Sequence, residues 1–282
     1  MKHESCKNFT LRQQREWASR AGKSVDIQGY LESVEANLLQ PLSSTAMFGF
    51  AAGSGSELLD TVGRPAKIRA LHSSAALAVN VFDYWTTRDA APLAWALGAG
   101  CSAPLSAIKS IHFERQYPTG LAGNPPNLDV VLQLESGFTI GIESKFTEWM
   151  TPASKGSGAF RPAYFPESGR LWAQRKLPYC QQLAEAITTG REQFQWLNAP
   201  QLLKHALGLA TSATGRFSLQ YLYFDGRGTE ADAHRAEIER FTSLVGPELQ
   251  FASQSYEELI SALGNHVGAD NLNYITYLRD RY

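Results

Sequence analysis

The stretch NPPNLDVVLQLESGFTIGIESKFTEW, residues 124–149, decides the fold. Two runs rich in β-branched and apolar residues flank a Ser-Gly pair, which predicts two strands joined by a tight turn. Leu128, Val130, Leu132 and Leu134 share one face of the first run, and Phe138, Ile140, Ile142 and Phe146 share one face of the second. Paired strands must bring their apolar faces together. A two-residue loop would set Leu134 against Thr139 and invert the match. A three-residue loop, Glu135-Ser136-Gly137, pairs Leu134 with Phe138, Leu132 with Ile140 and Val130 with Ile142. It also places Gly137 where such a loop needs a left-handed residue. In this register Asp129 lies opposite Glu143, and Lys145 follows two residues on along the same face.

The charges therefore form a cluster on the second face of the hairpin. Two carboxylates facing each other across strands repel, by up to about 1 kcal/mol on a wet surface and by more when buried. On this ground, removing either acid is expected to leave the fold at least as stable. A divalent cation between them would relieve the repulsion. Mg²⁺ or Mn²⁺ fits, because such ions take carboxylate oxygens, keep several waters and are completed by phosphate. A lysine beside the cation can orient or deprotonate water, or stabilise charge developing on a phosphate.

This arrangement resembles the PD-(D/E)xK nuclease superfamily, with PPNLD as the first half of the motif and ESK as the second. The resemblance implies a restriction endonuclease-like core of helix, three strands, helix and strand, which the segments from about 67 to 225 follow. It implies that Asp129 and Glu143 are metal carboxylates, that the carbonyl of Ser144 is a further ligand, and that Lys145 is the catalytic lysine. It also implies a glutamine on the helix after the third strand, matched by Gln201 in QLLKH. The prolines lie at 125 and 126, with Asn127 and Leu128 before the aspartate, a departure from the common proline-aspartate pair.

Further acids and bases surround this motif. Glu57 follows a Gly/Ser loop, in a region where superfamily members often recruit an extra acid. Glu114, on the expected first strand, is a candidate third acid. Lys204 and His205 share a helical stripe with Gln201 and are candidates for touching a phosphate. An insertion over 150–196 holds Lys155, Arg161, Arg175 and Lys176 among aromatics. That pattern suits a flap over a nucleic-acid backbone, with Arg175 and Lys176 as substrate contacts, or equally an ordinary amphipathic cover. The ESK tripeptide alone is weak evidence, and the aspartate in register strengthens it. A lysine–carboxylate salt bridge on a solvated face is the plainer reading.

The whole chain, 282 residues at 44% hydrophobic and 19% charged, is long enough to bury a sizeable core. Its net charge of −1 carries no global basic field. Cys6, Cys101 and Cys180 are dispersed and odd in number, which predicts a reduced, cytoplasmic chain. No signal peptide or membrane span is expected, and no P-loop, hydrolase-elbow or zinc-finger spacing occurs. Paired carboxylates also serve glycosidases, but those need room for a sugar between the acids, which facing strands deny.

The predicted elements are a helix near 28–39, a long buried helix over RPAKIRALHSSAALAVNVFDYWTT, and a helix near APLAWALG. Three strands follow, then helices from about Pro178 and after Asn198, a strand at FSLQYLYFD, a helix, a short strand and a last helix at YEELISALG. They predict an α/β fold with a mixed central sheet flanked by helices. Residues 1–66 are expected to be an N-terminal helical accessory arm, and 67–282 the restriction endonuclease-like domain. The predicted function is metal-dependent hydrolysis of phosphodiester bonds, with DNA as substrate. The alternative is a non-catalytic nucleic-acid-binding or assembly protein that retains the nuclease fold.

Overall fold

A computed structural model describes residues 4–53, 57–98, 107–153, 160–167 and 169–282. Lys155, Cys101 and part of the Gly/Ser loop before Glu57 lie outside the described residues. In chain order the elements begin with helices α1 (Cys6–Arg20), α2 (Ser44–Ala52), α3 (Ser74–Phe82) and α4 (Ala91–Gly98). Strands β1 (Ile108–Gln116), β2 (Asn127–Leu134) and β3 (Thr139–Lys145) follow, then α5 (Leu171–Gln174), α6 (Pro178–Thr188) and α7 (Ala199–Ser212). The chain closes with β4 (Phe217–Tyr223), α8 (Thr229–Val245), β5 (Phe251–Ser255), α9 (Tyr256–His266) and α10 (Leu272–Arg281).

The five strands form one sheet in the order β1-β2-β3-β4-β5. β1, β2 and β3 are antiparallel neighbours, while β3–β4 and β4–β5 are parallel. Parallel neighbours need crossovers, which α7 and α8 supply, and right-handed crossovers in one direction put both helices on the same face. α9 reaches the opposite face, where Tyr256 bonds to Ser144. The mixed sheet with flanking helices is the α/β fold expected from the sequence, and α3, three strands, α7 and β4 occur in the expected order.

The hairpin has the expected register. Val130 pairs with Ile142 and Leu132 with Ile140, and Leu134 N–H donates to Phe138 O at 2.9 Å. Gly137 has φ of 79°, the left-handed conformation the three-residue loop requires.

Several expected helices differ. The long helix over residues 64–87 is three pieces. Ser73 caps α3 by accepting from Ala76 N–H, with short 3₁₀ turns at Lys67–Arg69 and Asp83–Thr87 on either side. The segment 28–39 holds only a 3₁₀ turn at Glu35–Asn37. There Asn37 Nδ2 donates to Ile68 O at 2.6 Å and Ala70 O at 2.8 Å, so side-chain bonds to a neighbouring segment replace helical ones. α1, α2 and α10 were not expected. α1 buries Cys6, Thr10, Gln14, Trp17 and Ala18, a helical stripe masked by its polar members. Cys6, Leu38, Ala46, Phe50 and Ala66 belong to the same buried cluster as the sheet, so the first 66 residues contribute to that core. Cys6 and Cys180 are buried free thiols. No helix among the described residues is long and apolar enough to cross a membrane.

Candidate active site

The candidate site forms where the β2–β3 ladder stops. Leu134–Phe138 is a hydrogen-bonded pair, so every second pair along the hairpin should exchange backbone bonds, ending with Ser144 against Leu128. The paired register instead ends at Val130–Ile142. Beyond it, Ser144 N–H donates at 2.7 Å to Asp129 Oδ2, a side-chain acceptor in place of a backbone one. Backbone groups alternate sides along a strand. Lys145 O accepts from Phe224 N–H at 2.8 Å on the β4 side, so the N–H and carbonyl of Ser144 face β2 and the opening. Asp129, which follows Val130 into that opening, continues the register to lie opposite Glu143.

β3 is the central strand, and its residues alternate between faces. Glu143 points to the face covered by α7 and is 1% exposed. One of its oxygens pairs with Lys145 Nζ. The other, Oε2, lies 2.8 Å from Nε2 of His205, which is also 1% exposed. Neither contact has the alignment of a straight hydrogen bond, so both Glu143 oxygens keep lone-pair capacity. Across the parallel pairing with β4, Tyr221 stands beside Glu143, and its hydroxyl bonds to His234 Nε2 at 3.0 Å.

These surroundings separate the two acids electrically. Burial alone would raise the Glu143 carboxyl, but Lys145 and His205 bring it down to about 2. Asp129 is pushed well above the usual aspartate range by burial and by the charge of Glu143, against the opposing pull of Lys145. Burial disfavours the Lys145 ammonium, yet Glu143 and Asp129 more than compensate and raise it. The shifts thus run in opposite directions: Lys145 and His205 favour the ionised form of Glu143, while Asp129 holds its proton more tightly.

Glu114 and Glu57 reach this cluster as well. Glu114 sits on β1 between Phe113 and Arg115, which pair with Val130 and Leu128, so it faces Asp129 across the strands. Its φ of 51° is left-handed, a conformation that costs about 1–3 kcal/mol at a non-glycine residue and that clusters at functional positions. Burial, opposed by a 3.2 Å bond from Asn127 Nδ2 and reinforced by Glu57 and Glu143, raises its carboxyl to about 7. Glu57 pairs with Lys67 at 2.9 Å.

The remaining sequence candidates fall in three places. Gln201 stands at the start of α7, where its Oε1 accepts from Asn198 Nδ2 at 3.1 Å, one turn before His205. Lys204 is half-buried, with Nζ 5.4 Å from the Phe160 ring centre and 5.7 Å from that of Tyr164. Arg175 and Lys176 are exposed beyond α5. Phe160, Tyr164 and Trp172 are buried against one another, so these aromatics of the expected flap serve the core. His205 is corrected: it is not placed to meet a phosphate at the surface but lies beneath the sheet against Glu143. The signal was present, since Leu202, His205 and Leu209 fall on one buried helical stripe. The bond between Ser144 Oγ and Tyr256 OH, 2.6 Å, had no signal in the local sequence.

Among the described residues, no group of three or more His, Cys, Asp or Glu side chains forms a ready-made metal cage. The donors at the opening are two carboxylates and the Ser144 carbonyl. That hard-oxygen set, with lone pairs still open on Glu143, fits a Mg²⁺ or Mn²⁺ ion that keeps most of its waters, and does not fit a structural zinc.

Comparison with curated proteins and with solved structures gives no match. One family model matches residues 22–282, described as "Restriction Endonuclease associating with ARP". With nearly the whole chain covered and a mixed sheet that fits such a domain, this chain belongs to the family of restriction endonucleases associating with ARP.

Proposed function

We propose that the chain hydrolyses phosphodiester bonds of DNA at the opening between β2 and β3, as a nuclease of the PD-(D/E)xK type. One observation carries this reading: Asp129, Glu143 and Lys145 converge where the ladder opens, and the flanking Ser144 turns its carbonyl to the same point. The family's description as a restriction endonuclease supports it. That description also names an association with ARP, which belongs to the proposal for this chain.

Asp129, Glu143 and the Ser144 carbonyl would hold Mg²⁺ or Mn²⁺, which when bound lowers the pKa of coordinated water and neutralises charge on phosphate. The residues do the rest. Glu143, kept ionised by Lys145 and His205, is a ready carboxylate ligand. Asp129 must release its proton to become one. Lys145 pairs with Glu143 and keeps 16% of its side chain exposed, and its ammonium would stabilise charge developing on a phosphate brought to the site.

The test is incubation of supercoiled, linear and single-stranded DNA with and without Mg²⁺ or Mn²⁺, for wild type and Lys145→Ala. Cation-dependent cleavage is expected, reduced about 10²–10⁴-fold by the substitution. Salt-sensitive DNA binding with no cleavage under either cation would establish a non-catalytic binding protein instead.

A further inference from the structure

We propose that His205 is a positioning residue that holds the Glu143 carboxylate in its cation-binding orientation. The inference rests on the nuclease reading for its reaction, but the geometry stands on the α7–β3 contact. Glu143 is almost wholly enclosed, and its two oxygens meet different partners, Lys145 on one and His205 Nε2 at 2.8 Å on the other. A carboxylate held by one partner can still pivot about its last carbon–carbon bond. A second partner on the other oxygen removes that freedom.

His205 is itself fixed by the helix that carries it. Asn198 caps α7 by accepting from Gln201 N–H at 3.2 Å. Trp172 Nε1 donates to Leu203 O at 2.8 Å, two residues before His205. One turn later Gly208 lies so close to the β1–β2 connection that a Cβ there would meet Tyr117 O at 2.5 Å. The helix is thus clamped on both sides of the imidazole. Neither ring nitrogen makes an aligned hydrogen bond among the described residues, and the close contact of the ring is Nε2 to Glu143 Oε2. Nε2 is the nitrogen that faces the carboxylate, so a proton carried there lies toward Glu143.

A group behind a metal ligand that fixes its orientation typically changes cation affinity 10–100-fold when removed. The experiment compares wild type, His205→Leu and His205→Gln in the full chain. Mn²⁺ binding is followed by calorimetry without DNA, DNA affinity in Ca²⁺, and single-turnover cleavage against Mn²⁺ concentration. His205→Leu should weaken Mn²⁺ about tenfold or more and shift the cation dependence of cleavage by the same factor, with DNA affinity unchanged. His205→Gln, which restores an N–H donor, should recover most of the loss. Unchanged Mn²⁺ affinity in His205→Leu overturns the proposal, as does equal loss in both variants, which would make the ring mere packing.

Should His205→Leu fail to fold, imidazole nitrogen NMR of the wild type decides. An Nε2–H tautomer whose resonance moves on adding Mg²⁺ is expected, and a resonance indifferent to Mg²⁺ overturns the proposal. Failure of the nuclease reading looks different: the wild type takes up Mn²⁺ and cuts nothing, while the calorimetric comparison still reports on His205. A wild type that binds no cation overturns both.

Discussion

At the scale of single residues, the two acids that look equivalent in sequence are opposites in the fold. Glu143 is ionised and paired, and its carboxyl lies at about 2 against an ordinary 4.5. A depressed carboxyl contributes stability above the unfolded value, lost as pH falls from about 4.5 toward 2. Asp129 is raised above its ordinary 3.8, so its ionisation withdraws stability above pH 3.8, and the penalty fades below it. The sequence argument that removing either acid relieves repulsion therefore holds for one of them only. Glu143→Gln leaves the buried Lys145 without its counter-charge and should cost about 3–5 kcal/mol. Asp129→Asn keeps an oxygen for Ser144 N–H and should be at least as stable as wild type at pH 7, with the gap closing toward pH 4. Urea unfolding at both pH values checks this, and equal destabilisation by the two substitutions would show that the acids share one environment.

At the scale of elements, the hairpin was legible because its information is local. Apolar alternation, one glycine and a three-residue loop determine which residues face each other, and the site's carboxylates follow from that register. The helices were less legible where their burial depends on distant partners. α1 presents Thr10 and Gln14 inward, and Gln14 makes sense only once its Nε2 meets Arg281 O at 2.8 Å on α10. Ser73 lies inside the segment expected to be one long helix, yet it is the cap that starts α3. α7 was found by its Asn198 cap, but the depth of His205 was not, because nothing local says how closely a crossover helix approaches the sheet. Gly208 sets that approach. Gly208→Ala would ordinarily favour a helix by about 1 kcal/mol. Here the new methyl meets a backbone carbonyl, and lifting α7 should cost about 1–3 kcal/mol instead. Thermal unfolding gives the sign. A stabilised variant would mean that α7 is not pressed against the β1–β2 connection.

At the scale of the whole molecule, the lysine proposed for chemistry and the cations proposed for gripping substrate differ in exposure. Lys145 lies within the sheet, while Arg175 and Lys176 are exposed beyond α5. Replacing both exposed cations by alanine should weaken DNA binding and lower its salt dependence by up to about 0.9 per lost phosphate contact. Cleavage at saturation should survive. Lys145→Ala should do the reverse. Titrations at two salt concentrations beside single-turnover rates separate these outcomes, and a double alanine variant with unchanged affinity and salt slope would remove this face from the binding path. The order of helix, strands, helix and strand was readable because each element carries its own periodicity. The place of the first 66 residues was not, since their apolar positions are sparse and become part of a core only when α2 meets β1 and α1 meets α10.

Ser144 belongs to all three scales. A motif written E-x-K treats its middle letter as a wildcard. In this fold that letter is spoken for twice over. The backbone of Ser144 answers Asp129 on the edge of the strand, and its hydroxyl answers Tyr256, more than a hundred positions downstream, on the far side of the sheet. A pattern search indifferent to the middle residue would accept isoleucine or arginine there, and neither carries the hydroxyl that meets the fully buried Tyr256. The usable signature of this site is therefore longer than its three letters, and one of its letters is written near the end of the chain.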